Sequence, residues 1–318
     1  MQRFSNILFV VNSDADDSAA FAKTVELARN NQARITVLGI IDATEETKRE
    51  LAAGKSPLLN SIFESKTEQV QALLDAARTE NLQCEMKILA GIGFIEIIRE
   101  VMEHQRDLVV KSIHTTGSIV DRMLGGIDMK LLRKCPCPVW LIKSTQQQGF
   151  KEILVGLDYQ PDNDLVDKLN KQLLEMSSSL ALAEFSELHI IHAWSLPHES
   201  YYRSPRSGFS SSDLDALLLE EEDKRRKWLQ NMVDKYCLSV AEEARDYVKP
   251  VIHLVKGPAR EVILGSAAEI SAELVMVGTV CRTGIPGLVI GNTAEEILSR
   301  VDTSILAIKP EGFISPVH

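Results

Sequence analysis

The chain has 318 residues, 45% hydrophobic and 25% charged, with 45 Asp and Glu against 35 Lys and Arg for a net charge of −10. That length is about twice the usual ~150 residues of a domain, so two domains are expected, and the composition excludes collagen-like and wholly disordered chains. An acidic balance, with a pI near 5.3, argues against duplex nucleic acid as the main partner, because neutralising phosphates needs a basic face. No apolar stretch reaches the ~20 residues of a membrane span, and the run Ile7–Val11 is too short before Asn12 to be a secretory core. Five cysteines without framework spacing fit a reducing compartment, so the reading places the chain in the cytoplasm.

In chain order, strand-like apolar runs are expected at 6–12, 34–41, 84–90, 107–112 and 138–143, with helical patterns at 19–30, 61–80, 94–104 and 127–134. Residues 144–149 carry no apolar periodicity and read as a linker, which divides the chain into units at 1–145 and 151–318. Charge shifts at the same place. Residues 1–150 hold 18 basic and 19 acidic side chains, whereas 151–318 hold 17 and 26. Strands resume at 152–158, 187–194, 249–256, 273–278 and 304–309. Asn6–Asn12 is echoed by Glu152–Asp158, and a shift of 166 places Gly91 on Gly257, Glu103 on Glu269, Gly125 on Gly291 and Ile142-Lys143 on Ile308-Lys309. A tandem duplication explains this, the second copy carrying about twenty further residues within Pro197–Asp213, a Ser-rich stretch read as a mobile loop. Strands alternating with helices imply parallel, doubly wound sheets, which bind ligands beyond the carboxyl ends of their strands where strand order reverses.

At such an end lies Val277-Gly278-Thr279-Val280-Cys281-Arg282-Thr283-Gly284, running through Gly291-Asn292-Thr293 into a helix. Glycines admit backbone N–H groups to a phosphate and the helix start adds positive charge, so this is a candidate anion cradle, with Asn292 or Thr293 to cap the helix or touch phosphate. It is neither a Walker loop nor a dinucleotide fingerprint. Asp158, ending the strand at 152–158, could accept from ribose hydroxyls or the base; alternatively the glycines serve loop geometry and Asp158 is solvated. Cys135-Pro136-Cys137 lacks redox spacing, and His189 and His192, three apart in a strand, face opposite sides, so no metal site is evident. Glu220–Lys227 reads as an exposed helical run of i,i+4 pairs. No nucleophile elbow, triad or HExxH pattern supports a dedicated hydrolase.

These residues, with Leu131–Lys143 and Val277–Pro310, resemble the universal stress proteins in their tandem, UspE-type form over both halves. The resemblance implies two tandem five-stranded parallel sheets of order 3-2-1-4-5, an intrachain pseudo-dimer joined through the last strands of the two units, and further oligomerisation as an option. It implies binding of ATP or a related adenine nucleotide, or another small phosphate-bearing ligand, with slow hydrolysis at most. The family's ATP-binding members carry Gly, two residues, Gly, nine residues, Gly, then Ser or Thr. Here Gly278 and Gly291 match, while Cys281 and Asn292 replace the middle glycine and the Ser/Thr. The implied site comprises Gly156, Asp158, Ala193, Val277, Gly278, Thr279, Cys281, Arg282, Gly284, Gly291, Asn292 and Thr293. In the first unit the matching positions are Asn12, Ser112, Thr115, Gly125 and Gly126, a degenerate site beside Lys111 and His114. The alternative function is a nucleotide-free adaptor or an acyl-ligand binder using the apolar loop Ile285–Ile290.

Overall fold

The computed structural model describes residues 4–12, 16–54, 56–77, 82–113, 126–146, 149–237, 249–279 and 291–317. Its chain forms two compact units, one of Gln2–Gly149 with Thr279–His318 and one of Phe150–Gly278. Each is built from strands and helices in alternation.

The first unit contains β1 (Asn6–Val10), α1 (Ser18–Asn31), β2 (Arg34–Asp42), α2 (Glu45–Ala52), α3 (Pro57–Ala77), β3 (Cys84–Gly91), α4 (Gly93–His104), β4 (Leu108–Ile113), α5 (Gly126–Lys134) and β5 (Val139–Lys143), joined by α10 (Asn292–Arg300) and β10 (Ser304–Ile308). Its strands lie in the order β3-β2-β1-β4-β5-β10. The pairs among β1 to β5 are parallel, whereas β10 runs antiparallel to β5 with Ile305 opposite Leu141. β1 and β4 are buried along their whole length because both sheet faces are covered, so Ile7–Val10 and Leu108–Val110 read as apolar runs, while the buried Lys111 and Ser112 that follow find partners in Asp128 and Asp17. Phe9 meets Phe21 of α1 edge to face at 5.0 Å.

The second unit contains β6 (Glu152–Gly156), α6 (Asp164–Glu184), β7 (Glu187–Trp194), α7 (Glu199–Tyr202), α8 (Ser211–Tyr236), β8 (Val251–Lys256), α9 (Ala259–Glu269) and β9 (Leu274–Gly278), with parallel strands in the order β9-β6-β7-β8. The duplication is written into the backbone. Gly91 and Gly257 adopt φ of 156° and 155°, and Gln105 and Ser271, each just beyond a helix, adopt 53° and 55°. Both pairs are 166 apart, as are α5 and α10 at each end.

Pro197–Asp213 is not the mobile loop its composition suggests. It holds α7 and a run of hydrogen-bonded turns, and Ser210 caps α8 by accepting from the Asp213 N–H while the Asp213 carboxylate accepts from the Ser210 N–H. Its serines are capping and turn residues, and periodicity does not reveal such roles. Among the described residues no helix is long and apolar enough to cross a membrane.

Candidate functional site

β6 lies between β7 and β9, so strand order reverses at its carboxyl end. Gly156 closes the strand, and a Cβ there would press on Ile263 Cδ1 at 3.3 Å and Val277 Cγ1 at 3.4 Å. The Leu157 N–H still donates to Ile191 O at 2.9 Å, after which the chain leaves the sheet and presents Asp158 half-buried. Asn170 of α6 fixes this exit: its Oδ1 accepts from the Asp158 N–H at 3.3 Å and its Nδ2 donates to Asp158 O at 2.7 Å. Gln160 Nε2 donates to the Asp158 carboxylate at 2.7 Å. Ala193 stands half-buried in β7 between His192 and Trp194, and Val277 and Gly278 end β9, Val277 directly beside Gly156. Five of the implied residues, Gly156, Asp158, Ala193, Val277 and Gly278, thus gather at one end of this sheet.

Gly278 has a packing role of its own. A Cβ on it would lie 2.3 Å from Leu169 Cδ2 and 2.9 Å from Leu169 Cγ, so the α6 leucine fills the space that a side chain would need. Thr279, Gly291, Asn292 and Thr293 fall in the other unit. Thr279 is buried, and both its N–H and its hydroxyl donate to Ile308 O, at 3.0 and 3.2 Å. Gly291 is the N-cap of α10, which has no side-chain cap; Asn292 and Thr293, expected as capping residues, are instead its first two helical residues and exposed. Cys281, Arg282 and Gly284, like the loop Ile285–Ile290, Thr115, Gly125 and His114, lie outside the described residues.

An aromatic cluster beside Asp158 escapes sequence reasoning. Tyr159, Trp228 and His192 pack edge to face, with centroids 5.0 Å apart for Tyr159–Trp228 and 5.2 Å for His192–Trp228, and His192 Nδ1 donates to Leu157 O at 3.0 Å. Arg225 belongs to the run expected to be solvated, and its i,i+4 bond to Glu221 is present. Its guanidinium also lies over the rings of Tyr159 at 5.4 Å and Trp194 at 5.2 Å, which makes it part of the wall. The available signal was a Trp within a charged helical run.

The corresponding end of the first unit is filled by its own charges. Asp17 accepts from the Asn12 N–H at 2.8 Å and from the Ser112 hydroxyl. Burial raises its carboxyl above the usual range, against the pull of these bonds and of Lys111 and Lys66. Lys111 pairs with buried Asp128 at 3.0 Å. Elsewhere in that unit Cys135 and Cys137 are free buried thiols with sulfurs 3.5 Å apart.

Comparison with known proteins agrees with this architecture. The profile of the universal stress protein family matches residues 3–143 and again 149–309. The chain is 28% identical over 320 residues to a universal stress protein E homolog of Haemophilus influenzae, covering 97% of this chain and 98% of that one. It is 26% identical over 323 residues to universal stress protein E of Escherichia coli, covering 100% and 98%. Among solved structures, a Pseudomonas aeruginosa protein of unknown function superposes with a TM-score of 0.71 at 22% identity over 97% of this chain and 93% of its own. A universal stress protein of Archaeoglobus fulgidus gives 0.60 at 17% over 96% and 98%.

Proposed function

Since the chain belongs to the universal stress protein family, in its tandem UspE-type form, we propose that it is a cytoplasmic stress-response protein whose second repeat binds ATP or a related adenine nucleotide. The observation that carries this reading is Asp158, a half-buried carboxylate at the strand-order reversal, positioned through its backbone by Asn170 and through its side chain by Gln160. A carboxylate so fixed is an acceptor for ribose hydroxyls, and the family resemblance sets the half-buried Ala193 beside the base. The phosphate contacts of Gly278 through Thr293 rest on the family resemblance. The role is binding, with hydrolysis slow at most, and the two repeats act as an intrachain pair.

Equilibrium titration of labelled ATP into the full chain tests the proposal. One site is expected; Asp158→Ala weakens it at least ten-fold, and Asn12→Ala leaves it unchanged. Two equal sites, or none, would overturn the reading. At the family's middle glycine a side chain costs roughly 1–3 kcal/mol, so Cys281→Gly is expected to tighten binding by about one to two decades. Unchanged affinity would show that Cys281 points away from the ligand.

A further inference from the structure

At the opposite end of the second unit's strands, three neighbouring strands place Glu152 (β6), Glu187 and His189 (β7) and His253 (β8) on one sheet face. The ladders set Glu152 opposite Glu187, Leu154 opposite His189 and Ile191 opposite His253, so the two-residue alternation keeps all four side chains together. His189 is buried, its Nε2 lies 2.9 Å from Glu152 Oε2 and 3.8 Å from Glu187 Oε1, and its Nδ1 lies 2.9 Å from His253 Nε2. One donor atom from each of Glu152, Glu187 and His189 falls within 4.8 Å of the others. Asp158 is six residues along from Glu152, about 20 Å in extended chain, so this place is separate from the nucleotide site.

The first unit shows what the same place requires. The matching ladder positions there are Asn6 for Glu152, Thr36 for His189 and Lys87 for His253. A fully buried guanidinium occupies the middle: Arg106 donates to Asn6 Oδ1 at 2.7 Å, to Glu100 Oε1 at 2.6 Å and to Glu85 Oε1 at 3.0 Å. Lys87 adds a second cation on Glu100. In the second repeat, 166 residues on, the arginine position is Ala272 and the lysine position is His253, while Asn6 has become Glu152. Glu85 and Glu100 fall on Val251 and Ser266, so the carboxylates have moved to Glu152 and Glu187 while both fixed cations have been lost. Among the described residues no Lys or Arg pairs with Glu152 or Glu187.

We propose that Glu152, Glu187 and His189 bind a divalent metal ion of the zinc class, which supplies the positive charge that Arg106 supplies in the first repeat. One imidazole nitrogen with two carboxylates suits Zn²⁺ or Co²⁺ and disfavours the all-oxygen ions Mg²⁺ and Ca²⁺. Three protein ligands leave a fourth position for water or an exogenous ligand. His253 is a positioning residue: it holds Nδ1 of His189, the second-sphere bond that a metal-ligating histidine makes, and so points Nε2 at the carboxylates.

The test is competition titration of the metal-free full chain with Zn²⁺ against a chromophoric chelator, with Mg²⁺ as a control ion. One equivalent of Zn²⁺ is expected. Glu187→Gln and Glu152→Gln, both at solvent-accessible side chains and checked by circular dichroism, should each weaken it at least ten-fold. Cys137→Ser should leave it unchanged, and bound Co²⁺ should show no thiolate charge-transfer band. Failure to take up an equivalent, or uptake at equal affinity in both glutamine variants, overturns the site. It would leave Glu152–His189–His253 as a hydrogen-bonded relay without metal.

Discussion

Gly278 shows how a motif residue answers to two demands at once. Its match to the family's first glycine points to phosphate approach, yet the nearest obstacle to a side chain is Leu169, 2.3 Å from the site of a Cβ. Gly278→Ala should therefore destabilise the fold by about 1–3 kcal/mol in urea melts, whatever its effect on ligand. Combining it with Leu169→Ala should recover part of the loss as a coupling of roughly 0.5–3 kcal/mol, and strictly additive losses would place the strain elsewhere. Arg106 makes the same point about charge. Burial by itself raises the Glu100 carboxyl, but Lys87 and Arg106 bring it below its ordinary 4.5. This contribution is fully present above pH 4.5 and is lost as pH falls through the lowered folded value. Arg106→Met leaves the buried Glu100 carboxylate with Lys87 as its remaining strong partner and should cost up to about 3–5 kcal/mol at neutral pH, a deficit that shrinks on acidification. A pH-independent deficit would assign the loss to packing alone.

At the level of elements, what the sequence displayed and what it hid differ for physical reasons. The inner strands were legible because burial on both sheet faces leaves unbroken runs such as Leu8-Phe9-Val10 and Leu274-Val275-Met276, whereas β3 and β8, largely half-buried or exposed, were legible from shorter apolar runs such as Ile88-Leu89-Ala90. α2 was missed because its eight residues, Glu45–Ala52, are mostly charged and begin on a Thr44 cap, so no apolar stripe announces them. The wall of Tyr159, His192, Trp228 and Arg225 was hidden because its members lie up to 69 positions apart and meet only through packing. Helix α8, which carries two of them, depends on its capping box. Ser210→Ala should cost about 1 kcal/mol and speed amide hydrogen exchange in the first turn of α8. The Asp213 carboxyl is held below its ordinary value by the Ser210 side chain and then by its backbone N–H, so the same fraying should develop in the parent as pH falls through that lowered value. Exchange unaffected by both the substitution and acid would mean that packing at buried Leu214 holds the helix start.

On the scale of the whole chain, duplication has let one copy keep what the other lost. The first repeat closes its strand ends with Asp17, Lys111 and Arg106, all satisfied internally; the second exposes Asp158 at one end and an acidic histidine cluster at the other. The boundary in sequence is not the boundary in contacts, since Thr279–His318, the end of the second repeat, groups with the first. β10 lies along β5, Arg133 pairs with Glu295, and Lys143 pairs with Asp302 at 2.9 Å. Lys309, its pKa lowered to about 8 by burial, donates to Leu132 O at the end of α5. Residues 151–318 expressed alone would therefore carry β10 without its β5 partner, leaving an apolar strand edge, Ser304–Ile308, open to any like edge. Such an edge pairs with a second copy or drives aggregation. Sedimentation of that fragment should show dimers or larger species at micromolar concentration. A lysine placed at Leu306, buried opposite Trp140 in the full chain, should return it towards monomer. A fragment that stays monomeric without the lysine would mean that β5–β10 pairing is dispensable to the second repeat.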